Sequence, residues 1–246
     1  MTPGNNVLNI ERLRLALSTS TELAQIQYAM ESYCAAVGIR MLGYYHYPPV
    51  GAVDFGPDIQ VYAFGWPANW VETFVREGYV HVDPLPRIAA RQTKPFWWSQ
   101  ISTLGEIHAD ERAYLAKAAK AGLADGLAIP VFGPNARNGY YPAAFGKDEP
   151  KPDDSEIAKI HAACQLAHLQ YCELILRFLP DRVNLSERER QILSYAVRGH
   201  SNQMIATKLN ISANTVDTYV RRCFDKLDVH DRVATGLRGP AMGLVA

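Results

Sequence analysis

Three serines near the C-terminus constrain the fold more than any other feature, because each stands where a helix has to begin. Ser186 is followed three positions on by Glu189. In this capping-box pattern the hydroxyl and the carboxylate satisfy free N–H groups of a first helical turn. Ile192, Leu193 and Ala196 then form one apolar stripe, and Gly199 offers a helix stop. Ser201 opens a second, short helix with Ile205 and Leu209 inward. Ser212 opens a third, reaching Leu227, whose Val216, Val220, Phe224 and Leu227 recur at three- and four-residue steps. Its opposite face carries Asn214, Asp217, Thr218, Arg221, Arg222 and Asp225, a polar strip wide enough to enter a major groove. Two helices joined by a three- to four-residue turn, the second polar on its outer side, describe a helix-turn-helix. A helical bundle docked on the rest of the chain is the other reading of the same pattern.

Charge agrees modestly with the first reading. The 246-residue chain balances 25 Lys and Arg against 25 Asp and Glu, so its total charge favours neither nucleic acid nor membrane. From Asn184 onward nine basic residues face six acidic ones, a net +3 that leaves −3 on the remainder and places the attraction for phosphate in the last module. No apolar run reaches the length of a membrane span and the N-terminus lacks a secretory pattern, so a cytoplasmic protein without a membrane partner is expected. Cys34, Cys164, Cys172 and Cys223 form no CxxC pair and no zinc-type cluster, as suits free buried thiols in a reducing compartment. The seven histidines show no HxH or HExxH spacing and no GxSxG occurs. The sequence therefore reads as that of a non-enzyme without metal or cofactor, and a lactone hydrolase is the weaker alternative.

Upstream the pattern changes. Apolar residues from Glu11 to Val37 recur at helical spacing, giving two amphipathic helices split near Ser18–Ser20. Strand-like stretches follow at Ile39–Tyr47, Ile59–Phe64, Gly126–Phe132 and Gly139–Phe145, and the segment Gly133–Gly139 has the composition of a hairpin loop. Helical stretches lie near Ala68–Gly78, Pro84–Arg91 and Ala109–Gly122, with a long helix over Asp154–Phe178. The fold class is therefore α/β (α+β): an α-β-α sandwich with a largely antiparallel sheet, then an all-α helix-turn-helix domain. Pro180 breaks the long helix, so the domains are read as 1–175 and 185–246, with a linker at 176–184.

At the C-terminal end the residues resemble a known family. The run LSERERQIL from Leu185 to Leu193, AVRGHSN from Ala196 to Asn202, Ile205-Ala206, Ile211-Ser212, Thr215-Val216 and Lys226-Leu227 are similar to the LuxR-type helix-turn-helix. The resemblance implies that Asp217, Thr218 and Arg221 face base edges of double-stranded DNA, while Thr215, Arg222, Lys226 and the second helix meet phosphates. Arginine bonds guanine bidentately, worth about 1–3 kcal/mol of discrimination. Asp217 departs from the basic residue often found at its position. It suits a cytosine amino group but repels phosphate, and its role stays open. Met204 and Cys223 also depart from the usual residues. A homodimer on a palindromic operator follows from the way such helices read half-sites, with the helix over Asp154–Phe178 and the one after Asp231 as candidate interfaces.

LuxR-type modules occur with several partner domains. A phospho-acceptor receiver needs acidic residues at the end of an early strand, and Ile39–Tyr47 offers none. Trp70, Asp83, Pro84, Trp98 and Gly126 instead resemble the signature of the autoinducer-binding domain that recognises acyl-homoserine lactones, over most of residues 10–175. By that resemblance the Trp70 indole N–H bonds the lactone carbonyl, the Asp83 carboxylate takes the amide proton, and Trp98 packs on the ring. Read without the family, Asp83 before Pro84 is also a helix N-cap with proline in the first turn. Phe74 stands where a tyrosine hydroxyl usually helps hold the amide carbonyl. Trp66 likewise replaces a common tyrosine; its ring narrows the acyl channel or supplies the missing donor. Tyr62, Tyr79, Phe96, Tyr140 and Pro142 are further candidate lining. The ligand is accordingly expected to be an acyl-homoserine lactone-type signal, with an aryl or unusual acyl group left open. A non-lactone ligand, or a first domain that serves only dimerisation, is the alternative.

Overall fold

The computed structural model describes residues 3–54, 61–146, 150–178 and 183–245. In chain order the elements are α1 (Pro3–Ser18), α2 (Leu23–Val37), β1 (Ile39–Tyr47), β2 (Val61–Phe64), α3 (Ala68–Arg76), α4 (Pro84–Ala89), β3 (Phe96–Trp97), α5 (Ile101–Leu104), α6 (Ala109–Lys120), β4 (Leu127–Phe132), β5 (Asn138–Phe145) and α7 (Asp154–Phe178). The C-terminal helices follow as α8 (Glu187–Val197), α9 (Asn202–Leu209), α10 (Ala213–Leu227) and α11 (Arg232–Ala241). The chain divides into two compact units, residues 1–47 with 56–174, and residues 48–55 with 175–246. Residues 59–60 of the expected second strand, and 179–182 of the expected linker, lie outside the described residues.

Among the described residues the first unit holds an antiparallel five-stranded sheet in the order β2-β1-β5-β4-β3. Period-2 alternation sends successive side chains of β1 and β5 to opposite faces. Tyr45 and Tyr47 pack with Tyr140 into the cluster that contains Trp70, Trp98 and Tyr114. Tyr44 and His46 face the other way, toward Tyr141, His168 and Tyr171. Helix α7 therefore covers one face together with α2, which packs on β1 and in turn on α1. Helices α3, α4 and α6 cover the face that bears the aromatic cluster.

β3 is two residues long and leaves no pattern in the sequence; its identity comes only from pairing Phe96 with Ala128 and Trp97 with Leu127. The hairpin between β4 and β5 turns through Pro134–Ala136, with Asn135 and Ala136 both at positive φ.

In the second unit the serine starts hold atom by atom. Ser186 accepts from the Glu189 N–H, Ser201 from Met204 and Ser212 from Thr215. Ile192, Ile205, Val216 and Val220 bury one cluster where α8, α9 and α10 meet. Leu193, Leu227 and Leu244 belong to a second that joins α11. Arginines close two helix ends, Arg188 donating to the Leu209 carbonyl and Arg238 to Leu227, and Arg190 holds the tail beyond α11 through the Leu244 carbonyl. The Leu209 and Leu227 carbonyls have no intrahelical donor, so a guanidinium is a favourable partner there.

Candidate functional site

On the sheet face covered by α3, α4 and α6 a cavity of about 390 Å³ opens, and its wall brings together Trp66, Trp70, Phe74, Asp83 and Trp98. Trp66 precedes α3, and Trp70 and Phe74 follow at four-residue steps, so all three present to one side. Trp66 stacks on Trp98 with ring centroids 6.3 Å apart. Trp70 tilts against Tyr79 and Tyr114 at 5.8 and 6.0 Å, and Phe74 meets the same two rings edge-on. Val71 and Val75 belong to the wall yet are exposed, which puts one edge of the cavity at the protein surface beside α3. Tyr62, Tyr140 and Pro142 line it as expected, whereas Tyr79 and Phe96 stand behind the wall in the aromatic cluster.

Asp83 fulfils the N-cap reading and still reaches the cavity. Its Oδ1 accepts from the Leu85 N–H at 3.0 Å, with Pro84 in the first turn of α4. Its Oδ2 accepts from the Tyr114 hydroxyl at 3.2 Å. Burial pushes the carboxyl up to about 6; the two donated bonds pull it down and Glu111 adds a small upward push. A second link fixes the same pair of helices: Arg87 on α4 bonds Glu111 on α6 at 2.7 Å, and Glu111 also caps the His108 N–H. Sequence reasoning alone misses Tyr114. Its only signal is a place on the apolar side of α6, which reads equally as core.

Gly126 stands where a side chain would collide. A Cβ there would lie 2.5 Å from the Ala143 carbonyl oxygen and 2.7 Å from Trp98 Cζ2. The glycine carbonyl meanwhile accepts the Trp98 N–H at 2.8 Å. The residue is thus the seat on which the Trp98 indole lies.

The opposite face of the sheet holds a different polar group. His46, His168 and Cys172 bring their ligand atoms within 4.8 Å of one another. Both ring nitrogens of His168 already have partners, the Tyr44 hydroxyl at 2.8 Å and the Arg137 carbonyl at 2.9 Å. Burial holds this imidazole down to about 4, so it is neutral at physiological pH, and the set is a buried hydrogen-bond network between sheet and α7.

In the second unit α10 turns Val216, Val220, Cys223 and Leu227 inward. Thr215, Thr218, Arg221 and Arg222 are exposed. Arg221 is 76% exposed and pairs with Asp217 at 2.9 Å, one turn apart, so the acidic residue holds the guanidinium over the outer face. Thr218 Oγ1 back-bonds to the Asn214 carbonyl, and Arg222 lies over the Tyr219 ring. Asn214, Thr215, Thr218, Tyr219 and Arg222 surround a shallow surface depression.

Lys226, exposed on α10, is already engaged within its own domain. Its ammonium bonds Glu189 Oε2 at 2.7 Å and the Asn184 carbonyl at 2.9 Å. Burial alone would raise the Glu189 carboxyl, but Lys226 and Ser186 together hold it below the usual carboxylate range. The physical reason is that Glu189, 4% exposed in its side chain, is a buried charge that needs an opposite one. Arg188, Arg190, Arg232 and Arg238 donate to neutral acceptors of their own domain and keep their charge, and Lys226 cancels Glu189 within the count, so the net +3 stands while fewer basic side chains have donors free for phosphate.

Comparison with known proteins places both units. Residues 22–171 match the autoinducer binding domain, and residues 183–235 match the bacterial regulatory proteins of the luxR family. The quorum sensing-dependent transcriptional regulator RpaR of Rhodopseudomonas palustris is 32% identical over 188 residues, 74% of each protein. The quorum-sensing regulator RhlR of Pseudomonas aeruginosa is 26% identical over 219 residues, 84% of this chain and 86% of that one. Among solved structures, Escherichia coli SdiA superposes with a TM-score of 0.70 at 18% identity, covering 94% of both chains. SdiA in complex with octanoyl-rac-glycerol gives 0.72 at 17% identity, covering 98% and 97%. No helix among the described residues is long and apolar enough to cross a membrane. The chain belongs to the LuxR family: it is an autoinducer-binding transcriptional regulator of the quorum-sensing kind, with the signal domain ahead of the DNA-binding helix-turn-helix.

Proposed function

We propose that the signal is an N-acyl-homoserine lactone and that the cavity beside α3 is its receptor. The observation that carries this reading is the meeting of one half-buried carboxylate, Asp83, with three indoles, Trp66, Trp70 and Trp98, around a mostly apolar space. A lactone signal offers one amide N–H and two carbonyls beside an apolar tail, so it needs one acceptor, two donors and a dry channel. In this assignment Asp83 takes the amide proton, Trp70 donates to the lactone carbonyl and Trp98 packs on the ring. Trp66 donates to the amide carbonyl in place of the tyrosine that Phe74 lacks. A second reading has one specific support: the similarly folded SdiA has been solved with octanoyl-rac-glycerol, an acyl ligand without a lactone.

The DNA side of the proposal assigns Thr218, Arg221 and Asp217 to base edges and Thr215 and Arg222 to phosphates. Lys226 holds Glu189 instead. The protein works in the cytoplasm as a homodimer whose two α10 helices read a palindromic operator. Selection of duplexes from a random pool by the full chain, with lactone present, tests this. An inverted repeat with half-site centres roughly 10 base pairs apart is expected. The Arg221→Ala variant is expected to lose preference at one base pair of each half-site. Enrichment of no common sequence by the unaltered chain overturns the assignment.

A further inference from the structure

We infer that the acyl part of the signal carries an oxygen, received by the hydroxyl of Tyr140. The inference rests on the lactone reading above and deepens it. Three donors in the cavity wall are buried and find no hydrogen-bond partner among the described residues: Trp66 Nε1, Trp98 Nε1 and Tyr140 Oη. A buried polar atom left unpaired is costly, so such atoms in a binding cavity point to acceptors on the occupant. With the Trp70 indole and the Tyr45 hydroxyl the wall offers five donors besides those already bonded within the fold, while a lactone head group brings two carbonyls. The surplus belongs to the acyl part.

The head group leaves over the indole N–H of Trp98, which packs on the ring, and the hydroxyls of Tyr45 and Tyr140; of the two hydroxyls, Tyr140 carries the one both buried and unpaired. It sits on β5 opposite Tyr45 of β1, its ring 5.7 Å from that of Tyr45. Side chains on this face of the strands point into the cavity cluster, and Tyr140 is only 1% exposed. A phenylalanine would fill the same space and match the apolar surroundings, so packing alone gives no reason for the hydroxyl. Burial first, and then the nearby Asp83 charge, oppose ionisation of Tyr140, which keeps the hydroxyl a donor. A plain alkyl chain would leave that O–H buried and unpaired. A keto or hydroxyl oxygen, on a chain or at the end of an aryl group, completes it.

The test uses the full chain and two matched pairs of lactones: N-octanoyl against N-3-oxo-octanoyl, and N-3-phenylpropanoyl against N-3-(4-hydroxyphenyl)propanoyl. Affinities are measured for the unaltered protein and for Tyr140→Phe. In at least one pair the oxygenated member binds tighter by roughly 2- to 12-fold, the value of one hydrogen bond, and Tyr140→Phe abolishes that difference. Without added lactone the variant unfolds at a midpoint no lower than the unaltered chain, because the hydroxyl it removes bonds nothing in the fold. Equal affinity within both pairs overturns the inference while leaving the lactone reading intact. So does a preference that survives Tyr140→Phe, or a midpoint several degrees lower in the variant, which makes the hydroxyl structural. Binding of none of the four compounds contradicts the lactone reading and this inference with it.

Discussion

The hydroxyl of Tyr114 donates to Asp83 Oδ2 at 3.2 Å, joining α6 to the cap of α4 across 31 residues of sequence. The bond leaves the carboxylate tied at one oxygen to the Leu85 N–H and at the other to a phenol, so its orientation is set before any ligand arrives. Removing it by Tyr114→Phe is expected to weaken lactone binding by about 0.5–1.5 kcal/mol, the net worth of one hydrogen bond. It also lifts the Asp83 carboxyl further, since Tyr114 is one of the groups that pull it down. Titration calorimetry at pH 7 measures the first effect. An unchanged affinity contradicts the positioning role.

Asp83 keeps its proton up to about pH 6 in the folded chain. An unfolded aspartate releases it near 4. Between those values the folded state binds the extra proton, so this group makes the protein less stable as pH rises. His168 acts in the opposite direction. It stays neutral down to about 4 when folded, while the unfolded imidazole protonates near 6.5, so stability is lost as pH falls through that window. Asp83→Asn removes one slope and leaves the other, and the variant is expected to lose stability more steeply than the unaltered chain from pH 6 to 4. Urea unfolding followed by tryptophan fluorescence reports this, because all four tryptophans lie between residues 66 and 98. The ionised carboxylate is the form that takes an amide proton, so lactone affinity at pH 5 falls roughly tenfold below that at pH 7.

Gly126→Ala sets a methyl group against the Ala143 carbonyl and the Trp98 ring at once. The carbonyl belongs to a central strand and does not give way, so the indole moves. A loss of about 1–3 kcal/mol is expected, together with a changed tryptophan emission and loss of the lactone response. Gly236→Ala is the control: its Cβ would meet nothing within 4 Å inside α11, and it is expected to be neutral or mildly stabilising. Equal behaviour of the two variants contradicts the seating of Trp98 on Gly126.

Lys226 and Arg222 are both basic residues of α10 and are expected to fail in different ways. Lys226→Met leaves Glu189 buried without its cation, costing about 1–3 kcal/mol, below the value for a fully buried pair because Lys226 is 40% exposed. Its effect on DNA binding follows the folded fraction and leaves the salt dependence unchanged. Arg222→Ala leaves the unfolding midpoint in place and lowers the slope of log K against log salt by about 1 for each contact removed. Circular dichroism melts and anisotropy titrations at several salt concentrations separate the two. Exchange of these outcomes contradicts the assignment of Lys226 to Glu189.

The parts of the fold that are legible in sequence are those set by local chemistry. Ser186, Ser201 and Ser212 mark helix starts because a capping hydroxyl acts within three residues, and the strands around the sheet are long enough to show their alternation. β3 is not legible, since two residues carry no periodicity and only the partner strand defines them. The same division runs through the site. Trp70, Asp83 and Trp98 are identified through their intervals, whereas Tyr114 reaches Asp83 from a helix 31 positions away. Lys226 looks in sequence like a surface cation on a polar strip. Its partner Glu189 is 37 positions upstream, and only folding brings the two within 2.7 Å.

Thermal unfolding of the full chain against a panel of N-acyl-homoserine lactones, followed by tryptophan fluorescence, tests the receptor most directly. At a hundredfold excess over its dissociation constant a ligand confined to the folded state adds about 2.7 kcal/mol, which raises the midpoint by several degrees. Such a rise is expected for at least one lactone in the unaltered protein, with its near disappearance in Asp83→Asn. A midpoint that no lactone moves, or one that moves equally in both proteins, contradicts the assignment of the cavity as a lactone receptor.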